Sequence, residues 1–211
     1  MDRGEVFADR ADAGRRLAAV LRDRRLGDTV VCGIPRGGVV VAAEVAAALG
    51  APLRAVVARK VGAPGHAELA MGAVGPDGVR VIDETLARRV GATDRYVEQA
   101  VAAARAEVEA RLAALPAVLG REEAAGRTVV VVDDGVATGA TAAAVGRWLA
   151  TTDAASRLLA LPVGPAETLL TLRAAYDDVV AVQTPAFFVA VGQWYRDFRQ
   201  VTDDEVARLL A

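Results

Sequence analysis

The sequence predicts an α/β protein with a doubly wound, mostly parallel sheet of about five strands. Short β-branched runs alternate along the chain with amphipathic or alanine-rich stretches of helical length. This alternation is typical of parallel sheets with helices on both faces. Two of the runs end in glycine-containing loops that lead directly into helices, as happens at the carboxyl edge of an open sheet. The predicted strands are residues 29–34, 52–58, 129–132, 157–163 and 178–182.

The composition excludes several classes of protein. A length of 211 residues favours one domain, 1–211. The net charge of −2 argues against a nucleic-acid partner held by bulk electrostatics. No apolar run approaches the roughly 20 residues of a membrane span, and the charged N-terminus lacks the apolar region of a signal peptide. With one cysteine and one histidine, the chain has no Cys/His metal cluster. We therefore expect a cytoplasmic protein without membrane or nucleic-acid partners.

The most informative stretch is residues 128–142, which read TVVVVDDGVATGATA. Four valines predict a strand buried on both faces, and Asp133 and Asp134 follow where that strand leaves the sheet. The next loop leads into a helix, whose first N–H groups lack intrahelical partners and attract a phosphate. Ionised carboxylates only accept hydrogen bonds, so vicinal sugar hydroxyls are their natural partners. The stretch therefore predicts a sugar-phosphate site, whose loop residues are Ala137, Thr138, Gly139, Ala140 and Thr141.

These residues resemble the phosphoribosyl diphosphate (PRPP) signature of type I phosphoribosyltransferases. The resemblance implies that family's fold, with a small hood formed by the C-terminal segment and the N-terminal helix. It implies transfer of the 5-phosphoribosyl group from PRPP to a nitrogenous base, with release of diphosphate. Mg²⁺ would be bound mainly through PRPP and diphosphate, and no side chain is assigned to it. Asp133 and Asp134 would orient the ribose, and 137–141 would hold the 5′-phosphate. The alternative is a generic strand–helix turn with capping residues.

A second strand–glycine loop–helix unit contains Pro35, Arg36 and Gly37. Successive N–H groups after Arg36 can converge on one oxyanion. Together with the first loop, this unit resembles the family's diphosphate loop, in which Arg36 would bind the leaving group through charge-assisted hydrogen bonds. Read alone, it leaves open the alternative of a helix-start turn that carries a surface arginine.

Residues 60–82 are rich in glycine and proline and predict a flexible catalytic loop with a hairpin. Lys60 is the only lysine among 25 basic residues, which suggests a role that arginine does not fill. By resemblance, Lys60 and His66 would contact the diphosphate, and a closed loop would exclude water. The alternatives are a surface lysine beside a hairpin and a solvated histidine.

The segment 183–200 holds three of the four phenylalanines and is the predicted hood. Such a cluster in an aromatic-poor chain indicates either a core plug or a stacking surface for a flat base. The candidates for a base pocket are Phe187, Trp194, Tyr195 and Asp197, with packing as the alternative for each one.

The acceptor base stays open at the level of sequence. Hypoxanthine- and guanine-specific members of the family carry an aspartate three residues after the acidic pair, where this chain has Ala137. The catalytic set implied by the resemblance is Lys60, Arg36, Asp133 and Asp134, acting by positioning and electrostatics. A non-catalytic PRPP-binding sensor or regulator is the main alternative, and a homodimer is compatible with the pattern. A P-loop nucleotidase is disfavoured because the loop lacks the required lysine.

Overall fold

The computed structural model describes residues 6–211, apart from the side chains at positions 67 and 68. No helix in this range combines the length and the apolar character needed to cross a membrane. The strands are β1 Thr29–Gly33, β2 Leu53–Ala55, β3 Arg59–Ala63, β4 His66–Val74, β5 Arg80–Ile82, β6 Thr128–Val132, β7 Ser156–Val163 and β8 Asp178–Gln183. The helices are α1 Arg10–Leu21, α2 Gly37–Leu49, α3 Glu84–Arg89, α4 Asp94–Ala114, α5 Arg121–Ala124, α6 Ala140–Leu149, α7 Ala166–Leu172 and α8 Asp203–Leu210.

The main sheet has five parallel strands in the order β2-β1-β6-β7-β8. The predicted fold class, α/β with a doubly wound, mostly parallel five-stranded sheet, is confirmed. The second predicted strand, 52–58, is shorter than expected. Its pairing with β1 stops at Gly33↔Ala55 because β1 itself ends there.

The two faces of this sheet bury alternate residues of the same strands, as the period of two in a strand requires. One face buries Val129 and Val131 against Val145 and Trp148 of α6. The opposite face buries Val130 and Val132 with residues of α1 and α2. Helices therefore cover both faces, and the strands are apolar on both sides, as predicted for the valine run of β6.

A separate three-stranded antiparallel sheet, β3-β4-β5, occupies the segment expected to be a flexible loop. The hairpin expected near its C-terminal end is present as β4 and β5. Most of the remaining residues, however, also form strands rather than loop. Buried Val61 and Met71 of this sheet pack with Ala104 of α4 in a small core of their own. The mobility of the segment stays a prediction.

The C-terminal segment meets the N-terminal end of the described chain, which is the arrangement implied for the hood. Phe7 forms an isolated parallel bridge with Tyr195. The Phe7 N–H donates to the Trp194 carbonyl at 2.9 Å, and the Arg196 N–H donates to the Phe7 carbonyl at 2.9 Å. The rings of Phe7 and Tyr195 lie 5.4 Å apart, centroid to centroid.

Helix α8 begins with a complete capping box. The Glu205 N–H donates to Thr202 Oγ1 at 3.2 Å, and the Thr202 N–H donates to Glu205 Oε2 at 2.7 Å. Thr202→Ala is expected to lower the free energy of unfolding by about 1 kcal/mol, or the thermal midpoint by about 2–4 °C. Thr184→Ala, at an exposed threonine, is the matched control. Equal midpoints for the two variants would contradict a stabilising cap.

Candidate functional site

The candidate site lies where the main sheet changes winding direction. Strands β1 and β6 are neighbours at its centre, and the chain leaves them toward opposite edges, to β2 and to β7. In open α/β sheets, the loops that follow such a pair of strands separate and leave a crevice for ligands. The Pro35–Gly37 loop follows β1, and Asp133 with the 137–141 loop follows β6. The two stretches singled out in the sequence therefore meet at one crevice.

The two loops approach so closely that glycine is required at their contact. A Cβ at position 38 would lie 2.8 Å from the Val132 carbonyl oxygen and 3.0 Å from Asp133 Oδ1. A Cβ at position 37 would overlap the Asp134 carboxylate. Real Cβ atoms do not approach other atoms so closely, so any larger residue here would separate the loops.

Arg36 lies at the mouth of a cavity of about 710 Å³ between the loop, α4 and α8. The Pro35–Arg36 peptide bond is cis. Within residues 6–211, the Arg36 side chain has no hydrogen-bond or ion-pair partner, although it is only partly exposed. The cavity is within the size range of small-molecule sites. A free guanidinium at its mouth is suited to an anionic group.

The carboxyls of Asp133 and Asp134 have different surroundings. Asp133 Oδ1 accepts from the Asp134 N–H at 2.8 Å. Burial, together with the negative charge of Asp134, raises the pKa of Asp133 well above its ordinary value, and the positive charges of Lys60 and Arg10 oppose this rise. Burial also raises the pKa of Asp134, but an ion pair with Arg10 at 2.8 Å opposes that rise directly.

The predicted phosphate loop is held in place without using its own N–H donors. The Ala137 carbonyl accepts from Thr168 Oγ1 at 2.8 Å. Gly139 has φ +73°, a conformation that favours glycine, and precedes α6, which has no side-chain cap. Thr138 is exposed and Thr141 is half-buried. The N–H groups of 137–141 donate no hydrogen bond among the described residues, so they are available to an anion.

The structure brings Lys60 toward the acidic pair but leaves His66 farther along the same ribbon. Lys60 is exposed on β3, pairs with Ala73 and exerts its charge on Asp133. His66 pairs with Ala63 at the tip of the β3–β4 hairpin. Three residues of strand separate the two pairs, roughly 10 Å. A contact between His66 and a diphosphate stays a prediction.

Two of the aromatic candidates in the hood are buried, and one is exposed. Trp194 and Tyr195 are only 7% and 6% exposed, and Tyr195 Oη donates to the Asp134 carbonyl at 2.5 Å. Their rings are thereby assigned to the core between Phe7 and Phe188. Phe187 is 82% exposed and has a free face for stacking. Asp197 lies on the surface, where its carboxylate accepts from the Arg199 N–H at 3.1 Å.

Two contacts of the site were not predicted from the sequence. Arg10 reaches Asp134 across 124 residues of chain. Asp77 accepts from Trp148 Nε1 at 2.8 Å and from Arg121 Nε at 2.7 Å, which fastens the turn of the β4–β5 hairpin to α6 and α5. No local pattern distinguishes these residues from the chain's many other charged side chains. Only their long-range partners identify them.

Sheet, crevice and loops together define a doubly wound α/β protein with a candidate anion and sugar site at its switch point. A family model described as "Phosphoribosyl transferase domain" matches residues 3–198. The chain belongs to this family, which confirms the resemblance noted in the sequence.

The curated relatives agree with this assignment. "Putative phosphoribosyl transferase Rv0571c" of Mycobacterium tuberculosis H37Rv is 42% identical over 206 residues, which are 98% of this chain and 46% of that protein. The protein named "Putative phosphoribosyl transferase MT0597" in strain CDC 1551 gives the same values. The chain thus spans about half the length of these relatives.

Two solved structures resemble the present one to different degrees. The crystal structure of TT1426 from Thermus thermophilus is 41% identical, has a TM-score of 0.79 and matches over 97% of both chains. A hypothetical protein from Neisseria gonorrhoeae, solved with bound ppGpp, is 15% identical with a TM-score of 0.52. It covers 100% of this chain and 97% of its own, and its likeness shows a shared fold alone.

Proposed function

We propose that this protein is a Mg²⁺-dependent phosphoribosyltransferase that transfers the 5-phosphoribosyl group from PRPP to a nitrogenous base and releases diphosphate. The observation that carries the proposal is the contact between two anion-binding loops, in which Gly38 lies directly against Asp133. A ligand with a phosphate at one end and a diphosphate at the other would span both loops. PRPP has this form, and the family assignment supports it.

The proposed roles follow from the positions of the groups. The N–H groups of 137–141 would bind the 5′-phosphate, and the acidic pair would accept from the ribose hydroxyls. The Pro35–Gly37 loop, with the unpartnered Arg36, would bind the diphosphate. Lys60, whose charge acts on Asp133, would add a positive charge for the diphosphate. Catalysis would consist of positioning and of stabilising charge on the leaving group.

The residues of the site fit a metal that is brought by the substrate. Among the residues whose side chains the structure describes, no group of three or more His, Cys, Asp or Glu is placed to hold a metal ion by itself. Mg²⁺ commonly keeps several waters and binds through substrate phosphates, so PRPP and diphosphate oxygens together with waters are a suitable set. When bound, Mg²⁺ would neutralise charge on the diphosphate.

The acceptor base would be bound without the aspartate of the 6-oxopurine enzymes, since Ala137 stands at that position. Phe187 is the one aromatic candidate whose ring is open to a ligand, being 82% exposed. Trp194 and Tyr195 would support the hood from beneath. Screening bases for diphosphate release would identify the acceptor.

The first experiment is a titration with PRPP, with and without Mg²⁺, followed by the thermal midpoint. Ligand at 100 times its dissociation constant should add about 2.7 kcal/mol to the free energy of unfolding. Ribose 5-phosphate, which lacks the diphosphate, is the control and should give a smaller shift. Absence of any shift at millimolar PRPP would overturn the ribosyl-donor proposal.

The variant Lys60→Ala tests whether the protein is an enzyme or a non-catalytic PRPP sensor. Loss of the charge that would face the departing diphosphate is expected to lower the turnover rate at least about tenfold, with a smaller effect on PRPP affinity. Arg80→Ala, on the same small sheet and ion-paired with Glu98 at 2.6 Å, is the control and should leave the rate unchanged. Turnover and diphosphate release would be measured with the accepted base. PRPP binding by the wild type without turnover on any base would favour the sensor.

A further inference from the structure

Arg10 of α1 is closely engaged at the acidic pair. Its Nε donates to Asp134 Oδ2 at 2.8 Å, and the two side chains are only 11% and 15% exposed. Its Nη1 donates to the Arg199 carbonyl at 2.9 Å. Its Cζ lies 3.9 Å from the centroid of the Phe198 ring. Arg10 therefore joins the N-terminal helix, the C-terminal segment and the end of β6 at one point.

The two acids that follow β6 have different partners. Asp134 is ion-paired with Arg10 of α1, the helix that packs on the face of Val130 and Val132. Asp133 Oδ1 accepts from the Asp134 N–H at 2.8 Å, and the carboxylate has no ion-pair partner among the described residues. The ion pair with Arg10 therefore belongs to Asp134, not to Asp133.

We propose that Arg10 is a positioning residue of the sugar-phosphate site, which holds the Asp134 carboxylate toward α1 and leaves Asp133 as the carboxylate that meets the ribose hydroxyls. This inference rests on the proposed function and assigns different work to the two acids. Asp134 fixes the turn through its ion pair with Arg10 and through its carbonyl, which accepts from Tyr195 Oη. Asp133, which has no ion pair among the described residues, is left to meet the ligand.

An arginine suits this position better than a lysine would. Its planar fork supplies one N–H to Asp134 and another to the Arg199 carbonyl while its face stacks on Phe198. An ammonium group has neither the fork nor the flat face. Gly37 makes room for the pair, since a Cβ there would lie 2.6 Å from Arg10 Nε.

The test is a double-mutant cycle on the affinity for Mg²⁺–PRPP, measured by calorimetry from pH 5.5 to 8.5. The variants are Arg10→Gln, Asp134→Asn and the double variant, with Arg10→Lys in case Arg10→Gln does not fold. Arg15→Gln is the matched control. Arg15 lies on the same helix, but its side chain is 58% exposed and its ion pair with Glu44 is longer, at 3.7 Å. The charged or titratable groups near Asp134 are Arg10, Asp133 and Tyr195, and Lys60 acts on the neighbouring Asp133.

Arg10→Gln is expected to weaken binding at least about tenfold at pH 7, because a buried carboxylate loses its counter-charge. In this variant, the plot of PRPP affinity against pH should also contain a step that is absent from the wild type. Asp134→Asn should weaken binding less than Asp133→Asn. The double variant should bind better than Arg10→Gln and lose the added step, since no charge remains at position 134. A merely structural role for Arg10 would not create a step that Asp134→Asn removes.

Two outcomes overturn the inference, and they are distinguishable from failure of the proposed function. If Asp134→Asn weakens binding as much as Asp133→Asn does, and Arg10→Gln has no effect, both acids contact the ligand. If Arg10→Gln and Arg10→Lys show the pH profile of the wild type, Arg10 does not position Asp134. If the wild type binds no PRPP at all, the proposed function itself fails.

Discussion

Asp133→Asn is expected to weaken Mg²⁺–PRPP binding and, at the same time, to raise the thermal midpoint of the free protein at neutral pH. The carboxylate is proposed to accept hydrogen bonds from ribose hydroxyls, and each such bond to a charged group contributes about 1.5–3 kcal/mol. Losing one corresponds to roughly ten- to hundredfold weaker binding. In the free protein, the same charge is partly buried beside Asp134, which raises the pKa of Asp133. Asparagine removes that unfavourable charge and retains an oxygen to accept from the Asp134 N–H.

The pH dependence of the wild type follows with a definite sign. A raised folded-state pKa means that folding favours protonated Asp133, so this group makes the free protein more stable as the pH falls through that pKa toward the ordinary value of 3.8. PRPP affinity should fall over the same window, because the protonated acid is the poorer acceptor. Thermal midpoints and calorimetric affinities across pH would show both trends. A midpoint that drops in Asp133→Asn at neutral pH would contradict the unfavourable burial of this charge.

Gly37→Ala is expected to disrupt the site and destabilise the fold together. The added Cβ would overlap the Asp134 carboxylate and approach Arg10 Nε to 2.6 Å, so their ion pair would have to open. Breaking a buried pair typically costs about 3–5 kcal/mol. PRPP binding should be lost as well, because the β1 loop would move away from Asp133. Chemical denaturation and the PRPP-induced thermal shift would measure the two effects.

Gly120→Ala is the matched control for this change. A Cβ at position 120 would meet no heavy atom within 4 Å, and the residue has φ −94°, which other residues adopt readily. Its effect should stay within about 1 kcal/mol. Equal losses for the two glycine variants would indicate that the close approach of the loops does not matter.

The central motif was predictable because its signals are local. A run of valines specifies a strand buried on both faces, and a helix that begins directly after a glycine presents open N–H groups at its start. Residues 129–141 therefore predicted the strand, the acidic pair after it and the candidate anion loop together. The Thr202–Glu205 capping box was predictable for the same reason, since its partners are three residues apart.

The prediction for residues 60–82 was less complete because composition does not report pairing. Glycines and prolines suggested a loop, yet most of this segment forms antiparallel strands. Gly72 is needed there because a Cβ would overlap the Val81 carbonyl of the neighbouring strand. Glycine in this segment thus reflects close packing of strands as much as flexibility.

The sequence by itself determined the fold class, the family and the two loops, because short-range periodicity and residue order encode them. Only the tertiary structure shows which partners the two acids have. Arg10, Phe198 and Asp134 are distant in the chain and come together through the packing of α1 and the C-terminal segment. The burial of Trp194 and Tyr195 was likewise decided by contact with Phe7. Such long-range partners leave no local pattern, since an ion pair or a packed ring depends on which surfaces the whole fold brings together.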